Sequence, residues 1–226
     1  MNTTPEFAEL YGAFTGDGWM SRGNTGITMW ITGNPKDEKE YYLGRIKELF
    51  KKSLDFDVFP RDFLYWGTYG VMIGQRKIIE KFIAAGAPIG KKARIAKVPD
   101  FVLSNSELFI PFARGLFDTD GCINFQKSYN KSSVLWKKTH RHRPRVFFTT
   151  VSPELALGLK AGLQRIGFCF RLTIGKPRKR NPVPSYKVEL YGKKNTKAFF
   201  AILEPRSPKH LAKFEQWLKQ GFYALP

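Results

Sequence analysis

Leu10-Tyr-Gly-Ala-Phe-Thr-Gly-Asp-Gly18 and Ala113-Arg-Gly-Leu-Phe-Asp-Thr-Asp-Gly121 are two copies of one pattern, set 103 residues apart. Gly12 falls on Gly115, Phe14 on Phe117, Asp17 on Asp120 and Gly18 on Gly121. The apolar spacing predicts a helix in each copy, stopped by the terminal glycine. A duplicated chain with one carboxylate per copy implies a site built between the copies.

Outward from these segments, both halves show the same order of elements. In the first, helical spacing covers residues 5–16, β-forming residues cover 27–32, and a second helix covers 35–53. Strands at 56–59 and 65–73 then precede a helix at 75–85. The second half repeats the order: helix 107–119, strands 123–127 and 146–151, and helix 153–166 opened by Ser152 as N-cap. Strands 168–174 and 186–191 and helices 195–203 and 208–221 complete it. Residues 86–105, punctuated by Pro88, Gly90, Pro99 and Ser104, read as a linker. The expectation is an α+β protein with two antiparallel sheets, divided as 1–100 and 101–226.

Within the matched helices, Gly12 and Gly16 lie one turn apart on one face, opposite Gly115 and Thr119 at the aligned positions. Glycine inside a helix costs about 1 kcal/mol relative to alanine, so a packing reason is required. Small residues at this spacing let two helix backbones approach closely across a pseudo-twofold axis. Such packing brings Asp17 and Asp120 side by side at two helix C-termini, where they repel each other and meet the negative ends of both dipoles. A cation relieves that arrangement. Carboxylates, water and phosphate oxygens suit Mg²⁺, which predicts metal-dependent phosphodiester hydrolysis.

The 226-residue chain carries 38 Lys plus Arg against 19 Asp plus Glu, a net charge of +19, with 42% hydrophobic residues. It is therefore a folded basic protein, not a basic tail. Residues 1–100 contribute +3 and residues 101–226 contribute +16. Polyanions are the expected partners, nucleic acid first among them. A membrane is not expected, because no apolar run reaches 18 residues and no signal peptide stands at the start. Cys122 and Cys169 have neither metal nor redox spacing, which fits reduced thiols in an intracellular compartment.

Both nonapeptides resemble the LAGLIDADG motif of homing endonucleases, and the order of elements is similar to the αββαββα unit of single-chain, two-repeat members. The resemblance spans residues 5–220. It implies a monomer whose paired antiparallel sheets form a saddle on double-stranded DNA, cleaving a long asymmetric site with Mg²⁺. It also implies that Asp17 and Asp120 hold the metal and that a lysine from each repeat stands near the scissile phosphate. In the first repeat that lysine is Lys92, with Lys91 as alternative; in the second it is Lys209. Asp118 departs from Thr15 of the first copy and is expected to accept a local hydrogen bond rather than to hold metal. Asn34 and Ser152, opening the long helices, are weaker supports for the site.

The remaining basic residues supply a surface. No acid lies between Asp120 and Glu154, whereas Lys127, Lys131, Lys137, Lys138, Arg141, Arg143 and Arg145 do, among Tyr129, Trp136, His140 and His142. This reads as a long hairpin over DNA, with Lys176, Arg178, Lys179 and Arg180 in a second loop of the same role. In the first copy the DNA-binding candidates are Ser21, Arg22, Asn24, Thr28, Trp30, Arg61, Tyr65, Trp66, Thr68 and Tyr69. An aspartic protease is excluded because Asp118-Thr119 is followed by Asp120 on a helical pattern. An EF-hand is excluded because the loop from Asp118 lacks later acidic ligands. Within the fold, an RNA maturase or a DNA-binding regulator without cleavage is the alternative, and the presence of both acids favours cleavage. Lacking a splicing His-Asn end or an initial nucleophile, the chain is expected to be a free-standing, intron-encoded protein.

Overall fold

The computed structural model describes residues 3–127, 140–177 and 182–224. Helix α1 (Pro5–Asp17) opens with Thr4, whose hydroxyl accepts from the Phe7 amide at 3.2 Å, and with proline at its first position. It is followed by the hairpin β1 (Gly18–Gly23) and β2 (Gly26–Gly33). A helical rod then runs from α2 (Lys39–Tyr41) through one π turn, Tyr42–Ile46, into α3 (Lys47–Leu54). Strands β3 (Arg61–Phe63) and β4 (Thr68–Ile73) and helix α4 (Arg76–Ala84) close the first half.

After the connector come α5 (Asp100–Leu103), a 3₁₀ turn at Ser106–Leu108, and α6 (Phe109–Asp120). The second half continues with β5 (Gly121–Gln126), β6 (His140–Arg141), β7 (Arg143–Thr150), α7 (Pro153–Arg165), β8 (Arg171–Gly175), β9 (Ser185–Tyr191) and α8 (Lys193–Leu203). Helix α9 (Pro208–Gln220) and β10 (Tyr223–Ala224), which pairs with β6, follow it.

The two four-stranded sheets are antiparallel and share one topology: β1-β2-β4-β3 in the first, β5-β7-β9-β8 in the second. The α+β architecture expected from the sequence is therefore present. Three local expectations are corrected. β1 escapes the sequence pattern, because Trp19-Met-Ser-Arg22 is short and flanked by glycines. Residues 56–59 are not a strand; the chain pairs only from Arg61. In the second half the strand starts at Arg171, while Phe168 and Phe170 are buried anchors before it.

α1 and α6 pack backbone to backbone. A β-carbon on Gly12 would collide with the carbonyl oxygen of Phe112, and one on Gly115 with that of Glu9. The collisions are reciprocal, as a pseudo-twofold requires. Beside them Glu9, buried in α1, pairs with Arg45 at 2.6 Å and with Arg114 of α6 at 3.0 Å. Two guanidiniums thereby satisfy one buried carboxylate and lock the halves in register. Phe14 meets Phe82 at 5.3 Å and Phe117 meets Phe199 at 4.9 Å, so each motif phenylalanine anchors its own repeat.

Gly18 and Gly121 end their helices in extended rather than left-handed conformation, with φ of −84° and −72°. What demands glycine there is space: a β-carbon would strike the ring and carbonyl of Phe14 or Phe117.

Gly115→Ala is expected to lower the unfolding free energy by about 2 kcal/mol, an overpacking cost, although helix propensity alone would raise it by about 1. Gly44→Ala, with nothing within 4 Å of the added carbon, is the control expected to be neutral or stabilising. Urea denaturation of both variants measures the difference, and equal effects would refute the close-approach argument.

Candidate active site

α1 and α6 end together, and their last residues are Asp17 and Asp120. A β-carbon on Gly16 would stand 3.4 Å from the Asp120 β-carbon, which shows how tightly the two helix ends converge. Asp17 is half-buried and accepts a hydrogen bond from the Tyr42 hydroxyl at 3.0 Å. Burial first, then the nearby charges of Asp120 and Glu38, push its carboxyl up to about 7 against the opposing pull of Tyr42 and Lys209. Asp120 is also shifted upward by the protein crowded around it, with Lys92 and Lys209 opposing. Its side chain is nevertheless open to water, so solvent relieves it more than Asp17.

Each helix end receives a lysine. Lys92, from the connector, donates to the carbonyls of Phe14, Thr15 and Gly16 at 2.6, 2.6 and 2.7 Å. These are last-turn carbonyls of α1: that of Phe14 also accepts from the Gly18 amide, while those of Thr15 and Gly16 lie beyond the last helical bond. Burial pulls the Lys92 ammonium down to about 8 despite Asp120 and Asp17 nearby. All three of its protons are engaged, so it caps the helix as well as facing the acids. Lys209, from the first turn of α9, donates to the Thr119 carbonyl at 3.1 Å and pairs with Glu38. Lys91 is exposed.

Glu38 is a residue that the sequence does not reveal. Its carboxylate, 5% exposed by residue, accepts from the Asn34 amide and from Lys209, and a β-carbon on Gly33 would collide with it. That same β-carbon would stand 3.1 Å from Asp17 Oδ2, so Glu38 and Asp17 share one pocket. In Asn34-Pro-Lys-Asp-Glu38 the acid resembles any residue opening a helix, so nothing local marks it. Tyr42 reads in the sequence as part of an apolar helix face; the π turn at 42–46 that carries it is not legible in the spacing.

Asp118 is a hydrogen-bond acceptor, but not the local one expected: it accepts from the amides of Arg206 and Ser207 at 2.9–3.0 Å, 88 and 89 residues further along the chain. It thereby holds the start of α9, two residues before Lys209. Burial nevertheless pushes its carboxyl up to about 7. His210 adds a second tie, its Nε2 donating to the Phe117 carbonyl at 3.0 Å. Burial, then Lys209 and Lys213, hold that imidazole down at about 3 and hence neutral. Ser152 donates to the Ala96 carbonyl at 2.6 Å, fastening the connector to α7, and Asn34 caps its own turn through the Lys36 amide at 2.9 Å. A cavity of about 300 Å³ opens beside Lys92, Asp120 and Gly16.

The structure thus brings Asp17, Asp120, Lys92 and Lys209 to one place. Among the described residues no group of three or more His, Cys, Asp or Glu is arranged to hold a metal ion. Two carboxylates suit Mg²⁺, which keeps several waters and takes its other oxygens from a phosphate.

The DNA-binding candidates spread over the outer sheet faces. Thr28, Trp30, Thr68 and Arg61 lie on the outer face of the first sheet, Trp66 packs against Trp30, and Asn24 and Tyr65 occupy turns. Arg22 borders a cavity against α4 instead, beside Ile79 and Glu80, and Tyr69 faces the core. In the second sheet Arg143 and Arg145 alternate with core residues, Lys127 and Lys176 are exposed past strand ends, and Arg141 pairs with Tyr223. Lys131, Lys137, Lys138, Arg178, Lys179 and Arg180 lie outside the described residues. No described helix is long and apolar enough to cross a membrane.

Residues 110–204 match the model of the LAGLIDADG-like domain. The fold as a whole is similar to that of I-DmoI, in a crystal structure with DNA and Ca, at 14% identity and a TM-score of 0.57, over 94% of this chain and 97% of that one. It is similar to I-DmoI in a crystal structure with DNA and Mn, at 14% identity and 0.55, over 89% and 98%. It is also similar to the N-terminal LAGLIDADG domain of DUF199/WhiA, at 13% identity and 0.52, over 95% and 88%. No curated protein sequence matches the chain.

The raised Asp17 carboxyl makes a stability prediction for the metal-free protein. Between the ordinary value of 3.8 and about 7 the folded state binds the proton that the unfolded state releases, so this group's contribution falls as pH rises through that window. Asp17→Asn removes the group. Melting curves without metal should show the variant gaining stability over wild type at pH 8 and losing that advantage by pH 4. A gap independent of pH would mean that Asp17 ionises freely.

Proposed function

We propose that this chain, whose residues 110–204 match the LAGLIDADG-like domain and whose whole fold is similar to that of two-repeat LAGLIDADG proteins, is a site-specific double-stranded DNA endonuclease of the homing type. The observation that carries the reading is the convergence of Asp17 and Asp120, one from each repeat, at the ends of two helices in backbone contact. Residues 1–100 and 101–226 are its two repeats, and a single chain holds both halves of the site. It therefore acts as a monomer on a long, asymmetric duplex.

Asp17 and Asp120 are the residues that would hold Mg²⁺. Bound there, the ion would supply Lewis acidity, lowering the pKa of a water and offsetting charge at the leaving oxygen. The chain's own groups do the rest. Tyr42 fixes the Asp17 carboxylate by its 3.0 Å hydrogen bond. Lys209, held by Glu38 and by an α9 whose start is tied to Asp118, offers an ammonium next to Asp120. Lys92 supports the α1 end that carries Asp17, and any bond it makes to phosphate must replace one of its three carbonyl bonds. The basic outer strands and loops neutralise the DNA backbone, separate from the chemistry.

Selection of cut sites from a randomised duplex library with Mg²⁺ present tests the reading. A specific site should emerge, and Asp17→Asn or Asp120→Asn should abolish its cleavage while leaving binding within about tenfold. Chelating divalent metal should do the same to wild type. Full cleavage by either variant would remove the mechanism, and two chains per site by sedimentation would remove the monomer.

Salt dependence gives an independent check on the basic residues that lie between β5 and β7 in the sequence. Replacing Lys137, Lys138 and Arg141 by alanine should make the log-log slope of binding against salt shallower by roughly one to three units, at about 0.9 for each phosphate no longer neutralised. An unchanged slope would assign those residues to solvent.

A further inference from the structure

The outer faces of the two sheets carry different chemistry at matching places. Trp19, Trp30 and Met72 form one cross-strand row over β1, β2 and β4. The row at the matching register of the second sheet is Cys122, Phe147 and Glu189. Both rows stand equally near the candidate metal pair, since Trp19 and Cys122 each come two residues after an aspartate of that pair.

Trp19 stacks on Trp30 with centroids 4.0 Å apart and planes 8° from parallel. Trp66, from the turn between β3 and β4, meets both edge-on at 5.9 and 6.0 Å. This apolar group is not covered by the protein: Met72 is 46% and Trp66 48% exposed. Arg61 joins it, with its guanidinium over Phe63. On the second sheet the corresponding face holds Arg143, Arg145, Arg171 and Lys187 around Glu189, with Arg145 at 3.2 Å from the carboxylate.

An apolar row continuous with a duplex-cutting centre has one natural counterpart. Every base pair offers donors and acceptors in the major groove, but only thymine adds an apolar group there, its C5-methyl. Unstacked bases fit less well, because the faces of Trp19 and Trp30 cover each other and leave ring edges and a thioether outward rather than an open stacking platform. We propose that the first repeat reads its half of the DNA site through thymine methyl groups, received by Trp19, Trp66 and Met72, while the second repeat reads its half with cations and hydrogen bonds. The inference rests on the endonuclease reading above.

Deoxyuridine tests it, since replacing thymine by it removes the methyl and nothing else. The probe is the duplex selected as described above, with the replacement made in one half at a time and binding measured without divalent metal. A Thr25→Cys protein in which Cys122 and Cys169, the two native thiols, are both replaced by serine carries an iron chelate in the β1–β2 turn alone, which cuts the DNA backbone nearby and marks the half that faces the first repeat. Replacement in that half should weaken binding about fourfold per methyl buried. Replacement in the other half should change it less than twofold, and Met72→Ser should lose most of the difference, with Trp66→Ser as second variant. Equal sensitivity of the halves, or none in the first, would overturn the inference while leaving cleavage of the selected duplex intact. Failure to select any duplex would instead sink the endonuclease reading, and this inference with it.

Discussion

Everything at the site depends on two helix backbones being allowed to touch. Gly12 and Gly115 sit where any side chain would strike the opposite main chain, so α1 and α6 meet with no layer of side chains between them. Side chains between helices ordinarily hold axes about 8–10 Å apart, a spacing at which two terminal aspartates would be separate surface residues. Backbone contact makes them one electrostatic unit: burial raises the Asp17 carboxyl first, and the charge of Asp120 beside it raises it further. Glu9, shared by Arg45 and Arg114, fixes the register of that contact with charge rather than shape.

The site also divides labour among its cations. Lys92 commits its donors to α1 carbonyls, while Lys209 faces an acid and only one carbonyl. The helix ends are pseudo-symmetric, yet the lysines serving them are not equivalent. That difference follows from where each is carried: an irregular connector can bring Lys92 below the helix end, whereas α9 presents Lys209 from its own first turn.

The legible part of the molecule is what repeats or alternates. The duplicated nonapeptide identifies the helix pair and both aspartates, and apolar periodicity locates most helices and the sheet-forming segments. The lysines follow only from family resemblance, because nothing in Gly90-Lys-Lys-Ala93 marks a buried ammonium. Glu38 and Tyr42 escape altogether. Their importance comes from tertiary packing: a π turn carries Tyr42 to Asp17, and the missing side chain of Gly33 leaves room for the Glu38 carboxylate beside it. Arg22 shows the opposite failure: strand alternation turns it toward α4 and away from the face where the row of Trp19 and Ser21 lies.

The pair between Glu38 and Lys209 spans 171 positions of sequence. During synthesis, at roughly 5–20 residues per second, the segment bearing Asp17, Glu38 and Lys92 emerges many seconds before α9 exists. Until then the first repeat holds two neighbouring acids with one of their balancing cations missing, and α1 lacks the backbone surface of α6 on which its glycines depend. The nascent first repeat is therefore an unfinished half whose inner face stays wet and repulsive, and docking of the second repeat is a late, topologically distant event. The geometry that makes the mature centre compact sets a biosynthetic order, in which the cleft is assembled last.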